Sequence, residues 1–555
     1  MKNKNKSFIL LGLLSAAMIM SCSKKDLDVT NLNQPSYGVL NSESGILSYA
    51  KGFYKIGFGD QSVGSLDDGL GFGMLLIVQG FHEGMGDNIF VPWGNNSFKF
   101  ADNPLSVKLD DGSIVNNPIG QGQQRELQLR NSRAYGASNS FLPEWTYMYF
   151  LNNSSNVLLS LIDKVNFTGD AATKKKVLQA WAYWWKGYAY SRIGSMYIAG
   201  LKIDAPNATN GTYMTHDALI TEANANLDKA AGIIGGLSSG GDFDNVMTQI
   251  IPGYMQFLPN GSAGIPTPAS WVKNINSLKA RNLLVNKRTN DMTASDWGQV
   301  LNLANAGVSS KSDYVFLAKT YSDQSKSIFS NLPEDGTCEG YAASSDNNTF
   351  FISERLIQDY NTGDKRLSNN FDLLPSPVIN KRGRSITFGT RYYMIDGGTG
   401  NGAITYYSSQ PNVVNSYISC SYEENQLMKA EALINTGQIV PGLLIVDGVR
   451  TLQGAGVPSV SGLGLSLLQA KEELRKERRC ALLFRGVAFY DLRRMGMADD
   501  VSKGGGRNGC VVLDRTGKVN TNATINYSYM SYWDVPQNEL DFNPAASGSA
   551  PVKNQ

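Results

Sequence analysis

The residue types best suited to a specific chemistry lie between Phe90 and Asn96, where Phe90, Trp93, Asn95 and Asn96 fall close together. A sugar ring has an apolar face of C–H groups and a rim of hydroxyls. A site for it needs flat rings to stack on and short amides to bond the edge. That mixture supports capture without a covalent step; the competing reading is that Trp93 plugs its own loop onto the body. A nucleophilic enzyme would need a serine or cysteine beside a base, and the chain has only two histidines, His82 and His216, neither near a GxSxG elbow. Two histidines are too few for a usual zinc site and lack an HExxH helix, so no metal or other cofactor is expected. A glycoside hydrolase would use two carboxylates, and Glu83 with Asp87 are the pair close in sequence.

A second chemistry is written at the start. Lys2, Lys4 and Lys6 precede an apolar run from Phe8 to Met20, followed by Ser21 and Cys22. This is a secretory signal over 1–21, too short for a convincing membrane span, with a thiol placed for lipid attachment. Cys22 is then the expected mature N-terminus. Several acyl chains hold firmly where one is marginal, each buried methylene contributing about 0.8 kcal/mol. Residues 22–36 are polar and read as a tether. Cys338, Cys420, Cys480 and Cys510 show no CxxC or metal spacing, so disulfides are open and their pairing unreadable. A net charge of +2 with 18% charged residues gives no pull toward nucleic acid.

The elements that must position these residues are mostly helices. Residues 44–80 show a helical pattern interrupted by glycines, and Phe81 to Ser140 reads as a long loop region, a place where function concentrates. A helical hairpin follows, with Trp145 to Ile162 in one arm and Thr173 to about Met196 in the other. Its ring-rich centre, from Trp181 to Tyr190, recurs at helical period and is assigned mainly to core. His216–Gly232, Trp271–Asn286, Ser295–Ala306 and Tyr422–Asn435 continue the series, and Ser353–Arg366 reads as a short helix ending in a turn held by Asp364 and Arg366. Strands are expected at Ser385–Phe388 and Arg391–Ile395. Lys471 to Gly496 forms one long helix pattern with Leu474, Ala481, Phe484, Ala488 and Met495 on its buried stripe and Arg475, Arg479 and Arg493 on a solvated or paired back. The fold class is mainly α, a tetratricopeptide-like helical-repeat scaffold with long irregular loops and a few short strands, one domain over 37–555.

Within the 471–496 stretch, Glu477-Arg478-Arg479, Phe484, Gly486, Tyr490-Asp491-Leu492-Arg493-Arg494 and Gly496 resemble the closing helix of the SusD/RagB family of outer-membrane nutrient-binding lipoproteins. Acidic residues would stand at Ala481 and Arg485 in the usual pattern, an arginine at Ala488 and a tryptophan at Met495. The ending at Pro536, Glu539, Leu540, Asn543 and Pro544 also resembles the family. The resemblance implies a non-enzymatic protein, lipid-anchored through Cys22 at the cell surface of the outer membrane. Such a protein captures an oligosaccharide and delivers it to a SusC-like TonB-dependent transporter. It places binding residues in an early loop, here Trp93 and Asn96, and in a segment ahead of Ser353, here Tyr321 and Tyr341. Capture of peptides, as by RagB, is the alternative on the same scaffold, and an extracellular glycoside hydrolase is a more distant one.

Overall fold

A computed structural model describes residues 40–58, 73–91, 97–117, 122–253, 256–258, 262–319, 351–379, 388–408 and 413–555. Helices α1 (Glu43–Phe58) and α2 (Gly73–Met85) fall within the glycine-interrupted helical pattern expected over 44–80, with α2 running five residues into the expected loop. The next stretch is not the loop expected there. It carries β1 (Ile89–Phe90), α3 (Phe98–Ala101), the hairpin β2 (Ser106–Lys108) and β3 (Ile114–Asn116), and α4 (Gln123–Arg130). Strands this short leave no period to read, and β2 is held by a partner near the other end of the chain, with Val107 opposite Ile525.

The helical body begins with α5 (Leu142–Leu161) and α6 (Ala171–Met196). Asp170 caps α6 by accepting from the Thr173 N–H, satisfying a donor that has no partner within the helix. Trp181, Trp184 and Trp185 are wholly buried, so the ring stripe is core as expected. After β4 (Ala199–Leu201) and β5 (Tyr213–Thr215) comes α7 (His216–Ile234), packed against α6. Gly187 and Gly194 set that approach: a Cβ on Gly187 would stand 2.7 Å from Leu227 Cγ, and one on Gly194 2.9 Å from Ile220 Cδ1. Then follow α8 (Gly241–Ile250), α9 (Pro268–Val285) and α10 (Ala294–Asn305), the last opened by a Thr293–Asp296 capping box.

A sheet-bearing insertion separates these from the final helices. It contains β6 (Leu317–Lys319), β7 (Phe351–Ile352), α11 (Glu354–Ile357), α12 (Lys365–Asn370), β8 (Phe371–Val378), β9 (Thr390–Met394) and β10 (Asn415–Tyr417). Ser353–Arg366 is therefore not one helix: α11 spans a single turn. Asp364 does hold the turn before α12, accepting from the Arg366 N–H at 2.9 Å. The β9 strand falls where Arg391–Ile395 was expected, β8 had no expectation, and most of Ser385–Phe388 lies outside the described residues.

Helices α13 (Tyr422–Asn435) and α14 (Ile439–Leu452) form another close pair, where a Cβ on Gly442 would meet Ile434 at 2.6 Å. The stretch from Lys471 to Gly496 is two helices, α15 (Leu467–Ala481) and α16 (Ala488–Arg494), parted by a turn with Phe484 at φ 59° and Gly486 at φ 68°. The turn is held from α2: Gly486 N–H donates to Glu83 Oε1 at 3.0 Å, and the Gln79 side-chain amide donates to the Phe484 carbonyl. Arg493 takes the second of its two alternatives, solvated or paired. It is 2% exposed and donates to the carbonyls of Ser195 and Val285 at 2.7 and 2.8 Å, joining the C-terminal ends of α6 and α9 where the helix dipoles favour a cation. The chain closes with β11 (Arg507–Leu513), β12 (Val519–Asn526) and α17 (Gln537–Leu540); the four-stranded sheet runs β11-β12-β2-β3.

Candidate ligand-binding site

Cys22, Trp93, Asn96, Tyr321 and Tyr341 all lie outside the described residues. What is described is the frame from which the two candidate segments depart. β1 pairs antiparallel with β7, Ile89 opposite Ile352 and Phe90 opposite Phe351. In an antiparallel pair the chain leaving one strand and the chain entering the other stand at the same end. The stem before Trp93 and the stem after Tyr341 therefore share one ribbon end.

That end is rigidly built. The Phe90 and Phe351 rings stack at 5.6 Å, and Phe388 meets Phe90 edge-on at 6.1 Å. The Arg355 guanidinium covers Phe388 at 4.1 Å. Asp102 accepts the Val91 N–H at 2.6 Å, clamping the last described residue before 92–96, while Ser97 on the far side donates through Oγ to the Ser138 carbonyl at 2.6 Å. Burial pushes the Asp102 carboxyl well above the usual carboxylate range despite that bond.

Below the ribbon, Asp87 sits in a left-handed turn at φ 58°. It accepts from Arg355 Nη2 at 2.6 Å, from Tyr527 at 2.7 Å and from Ser353 at 3.0 Å. Burial pushes its carboxyl up, but the Arg355 charge and hydrogen bonds outweigh that and hold it at about 2. Glu83 accepts from Asn88 at 2.7 Å and from Gly486; here burial prevails and the carboxyl is raised to about 7. Glu83 and Asp87 are 0% and 4% exposed, so neither can meet a glycosidic bond in solution. The hydrolytic pair read from spacing is instead part of the support of β1. His82 is likewise internal, 3.2 Å from Glu144, and His216 stacks on Tyr532 at 4.0 Å. Among the described residues no group of His, Cys, Asp and Glu is placed to hold a metal ion, and no helix is long and apolar enough to cross a membrane.

The sequence reading missed this support because its parts are scattered: Arg355 and Tyr527 come to Asp87 from positions far along the chain. It also missed a polar groove between α7, α9 and α10, whose lining residues read as ordinary solvated helix faces.

No protein-family model matches the chain, and no curated protein does. Solved structures do. A SusD superfamily protein from Bacteroides vulgatus matches with TM-score 0.54 at 14% identity, covering 91% of this chain and 97% of its own. A SusD homolog from Bacteroides thetaiotaomicron matches with TM-score 0.54 at 15% identity, over 90% and 96%. A protein solved with a xylogluco-oligosaccharide matches with TM-score 0.53 at 13% identity, over 92% and 99%. The likeness at these identities is one of fold: the chain has the SusD-like fold, mainly helical with small sheets.

Proposed function

We propose, taking the SusD-like fold as premise, that this protein binds an oligosaccharide at the β1–β7 ribbon end and performs no chemistry on it. Trp93 supplies the stacking ring and Asn96 a hydrogen-bonding amide. Tyr321 and Tyr341 contribute from the segment that enters β7. The observation that carries this reading is the pairing of Phe90 with Phe351, which gives the segment bearing Trp93 and the end of the segment that follows Tyr341 a common root. The removal of Glu83 and Asp87 from the surface favours capture over hydrolysis, and the neighbour solved with a xylogluco-oligosaccharide supports a glycan as the ligand class. In the same proposal residues 37–555 form one domain. Cys22 carries lipid that moors it to the outer membrane facing outward, and a SusC-like TonB-dependent transporter receives the glycan.

Isothermal titration against a panel of neutral oligosaccharides, xylogluco-oligosaccharides included, tests the site. Trp93→Ala should weaken binding at least about tenfold, near 1.4 kcal/mol, while leaving the melting transition in place. Unaltered affinity would discard Trp93 as a contact.

A further inference from the structure

Helices α7, α9 and α10 enclose a groove of about 680 Å³, within the roughly 300–1,000 Å³ usual for ligand sites. Its floor is an ordered pair of amides. Asn282 is 1% exposed and spends both Nδ2 hydrogens inside the protein, on Ser191 Oγ at 2.8 Å and Asn224 Oδ1 at 2.9 Å. The polar atom Asn282 has left to offer is its acceptor, Oδ1. Asn224 gives its own Oδ1 to Asn282 and keeps the donor Nδ2. A fixed acceptor beside a fixed donor is the complement of a peptide unit, which presents one N–H and one C=O.

The walls fit the same ligand. Gln299 and Asn302 add amides from α10, and Ile220, Leu283 and Leu303 give apolar surface between them. No aromatic ring lines the groove among the described residues, so it lacks the stacking platform a sugar face needs. Its cations are already matched, Lys287 with Asp296 at 2.6 Å and Lys279 with Asp228 at 2.5 Å, which leaves no excess charge to hold a phosphate or an acidic polymer. The stripe from Asp217 to Asn224 on α7 is roughly 10 Å long, the reach of about three extended residues.

We propose that this groove is a second binding site, separate from the ribbon end, and that it takes a short extended polypeptide segment read through its backbone amides. The inference stands apart from the glycan reading. Pre-oriented amides should reward a ligand whose N–H groups are intact, and apolar side chains at alternate positions would rest on Ile220, Leu283 and Leu303.

The test uses the full mature chain on a glass array of N-acetylated, C-amidated pentapeptides built from Leu, Ala, Ser, Lys and Glu in all combinations. The tightest peptide is then titrated in solution beside its alternately N-methylated form. Expected are binding of the unmethylated peptide and at least about tenfold weaker binding of the methylated one, the loss of one to two hydrogen bonds. Asn224→Ala and the exposed Asn302→Ala, each checked for an unchanged melting transition, should weaken binding at least fivefold by this reading, and Trp93→Ala should leave it intact. The proposal is overturned if no pentapeptide binds, if methylation makes no difference, or if the groove variants bind as the wild type does. Loss of peptide binding in Trp93→Ala, or displacement of the peptide by an oligosaccharide, also overturns it.

Discussion

The Asp87–Arg355 pair gives the most direct check on how the ribbon is supported. Arg355 and Asp87 are 0% and 5% exposed at the side chain, and Arg355 reaches both carboxylate oxygens, Nη2 to Oδ1 at 2.6 Å and Nε to Oδ2 at 3.0 Å. Arg355→Met keeps much of the volume and leaves the carboxylate buried without its main partner, which costs about 3–5 kcal/mol. Ser353, Tyr527 and Arg479, 3.8 Å away, remain beside Asp87 and favour the lower figure. Urea unfolding of the wild type, Arg355→Met, Asp87→Asn and the double variant should give a coupling of about 2 kcal/mol between the two sites. The cycle also removes the loss of the Arg355 contact with Phe388, which is common to both variants at position 355. A pH series adds the sign. The folded carboxyl is depressed from 3.8 to about 2, so its stabilisation is complete above the unfolded value and is lost as pH falls through 2. The depression corresponds to about 2.5 kcal/mol. Additive single-variant effects, or a wild type and an Arg355→Met protein with the same acid limb, would refute the reasoning.

The opposite sign is expected at Glu83, raised from 4.5 to about 7. The folded protein keeps a proton there that the unfolded chain releases, so this group's contribution to stability falls by about 3 kcal/mol as pH rises from 4.5 to 7; melting temperatures of wild type and Glu83→Gln should converge or cross over that window, and parallel curves would count against it. Ala488→Arg should destabilise by about 3 kcal/mol through overpacking, because a Cβ on facing Gly86 would already stand 2.3 Å from the Ala488 Cβ; an unchanged denaturation midpoint would show that α2 and α16 can part freely. Cys420, Cys480 and Cys510 are buried free thiols, all raised by burial, and in a Cys338→Ser protein starting after Cys22 a disulfide reagent should label none of them until urea unfolds the chain.

Helices with local signals were legible. The bounds Tyr422–Asn435 coincide with α13 because Ser421 caps the start and the apolar spacing is complete within the segment. The break inside Lys471–Gly496 was not, since the apolar spacing passes through it and its cause, the grip of Gln79 and Glu83 on Phe484 and Gly486, comes from a helix near the other end of the chain. The same limit applies at the candidate site. Composition picked out the rings and amides around Trp93 and the segment ahead of Ser353. The two-residue strands that give those regions a common root carry no period, so their pairing was unreadable. In the groove, the one-turn spacing of Asn282 and Asn286 is that of any solvated face. Only the approach of Ser191 and Asn224 shows that Asn282 is buried and fixed.

The departures from the SusD-like pattern in the closing helices follow from this packing. Ala488 stands where the pattern has an arginine, and the contact with Gly86 shows why: α2 lies too close to α16 for a longer side chain. Arg485 stands where an acid was expected and rests over the Tyr417 ring at 3.6 Å. A small cavity of about 30 Å³ lies beside Ala488 and Met495, lined also by Gly86, Arg478 and Tyr527. The charges that do match the pattern are those that tie separate helices together. Glu477 accepts from Arg366 at 2.7 Å and from Arg450 at 2.9 Å, Arg494 donates to Glu431 at 2.6 Å, and Arg478 donates to Asp491 at 2.8 Å. Each has a partner, and all but the partly exposed Asp491 are buried, so losing one member would strand a buried charge at a cost of several kcal/mol. Ala481, Arg485, Ala488 and Met495 belong to none of these pairs. Substitution there leaves these charged joints intact and acts through local packing, as at Ala488 against Gly86.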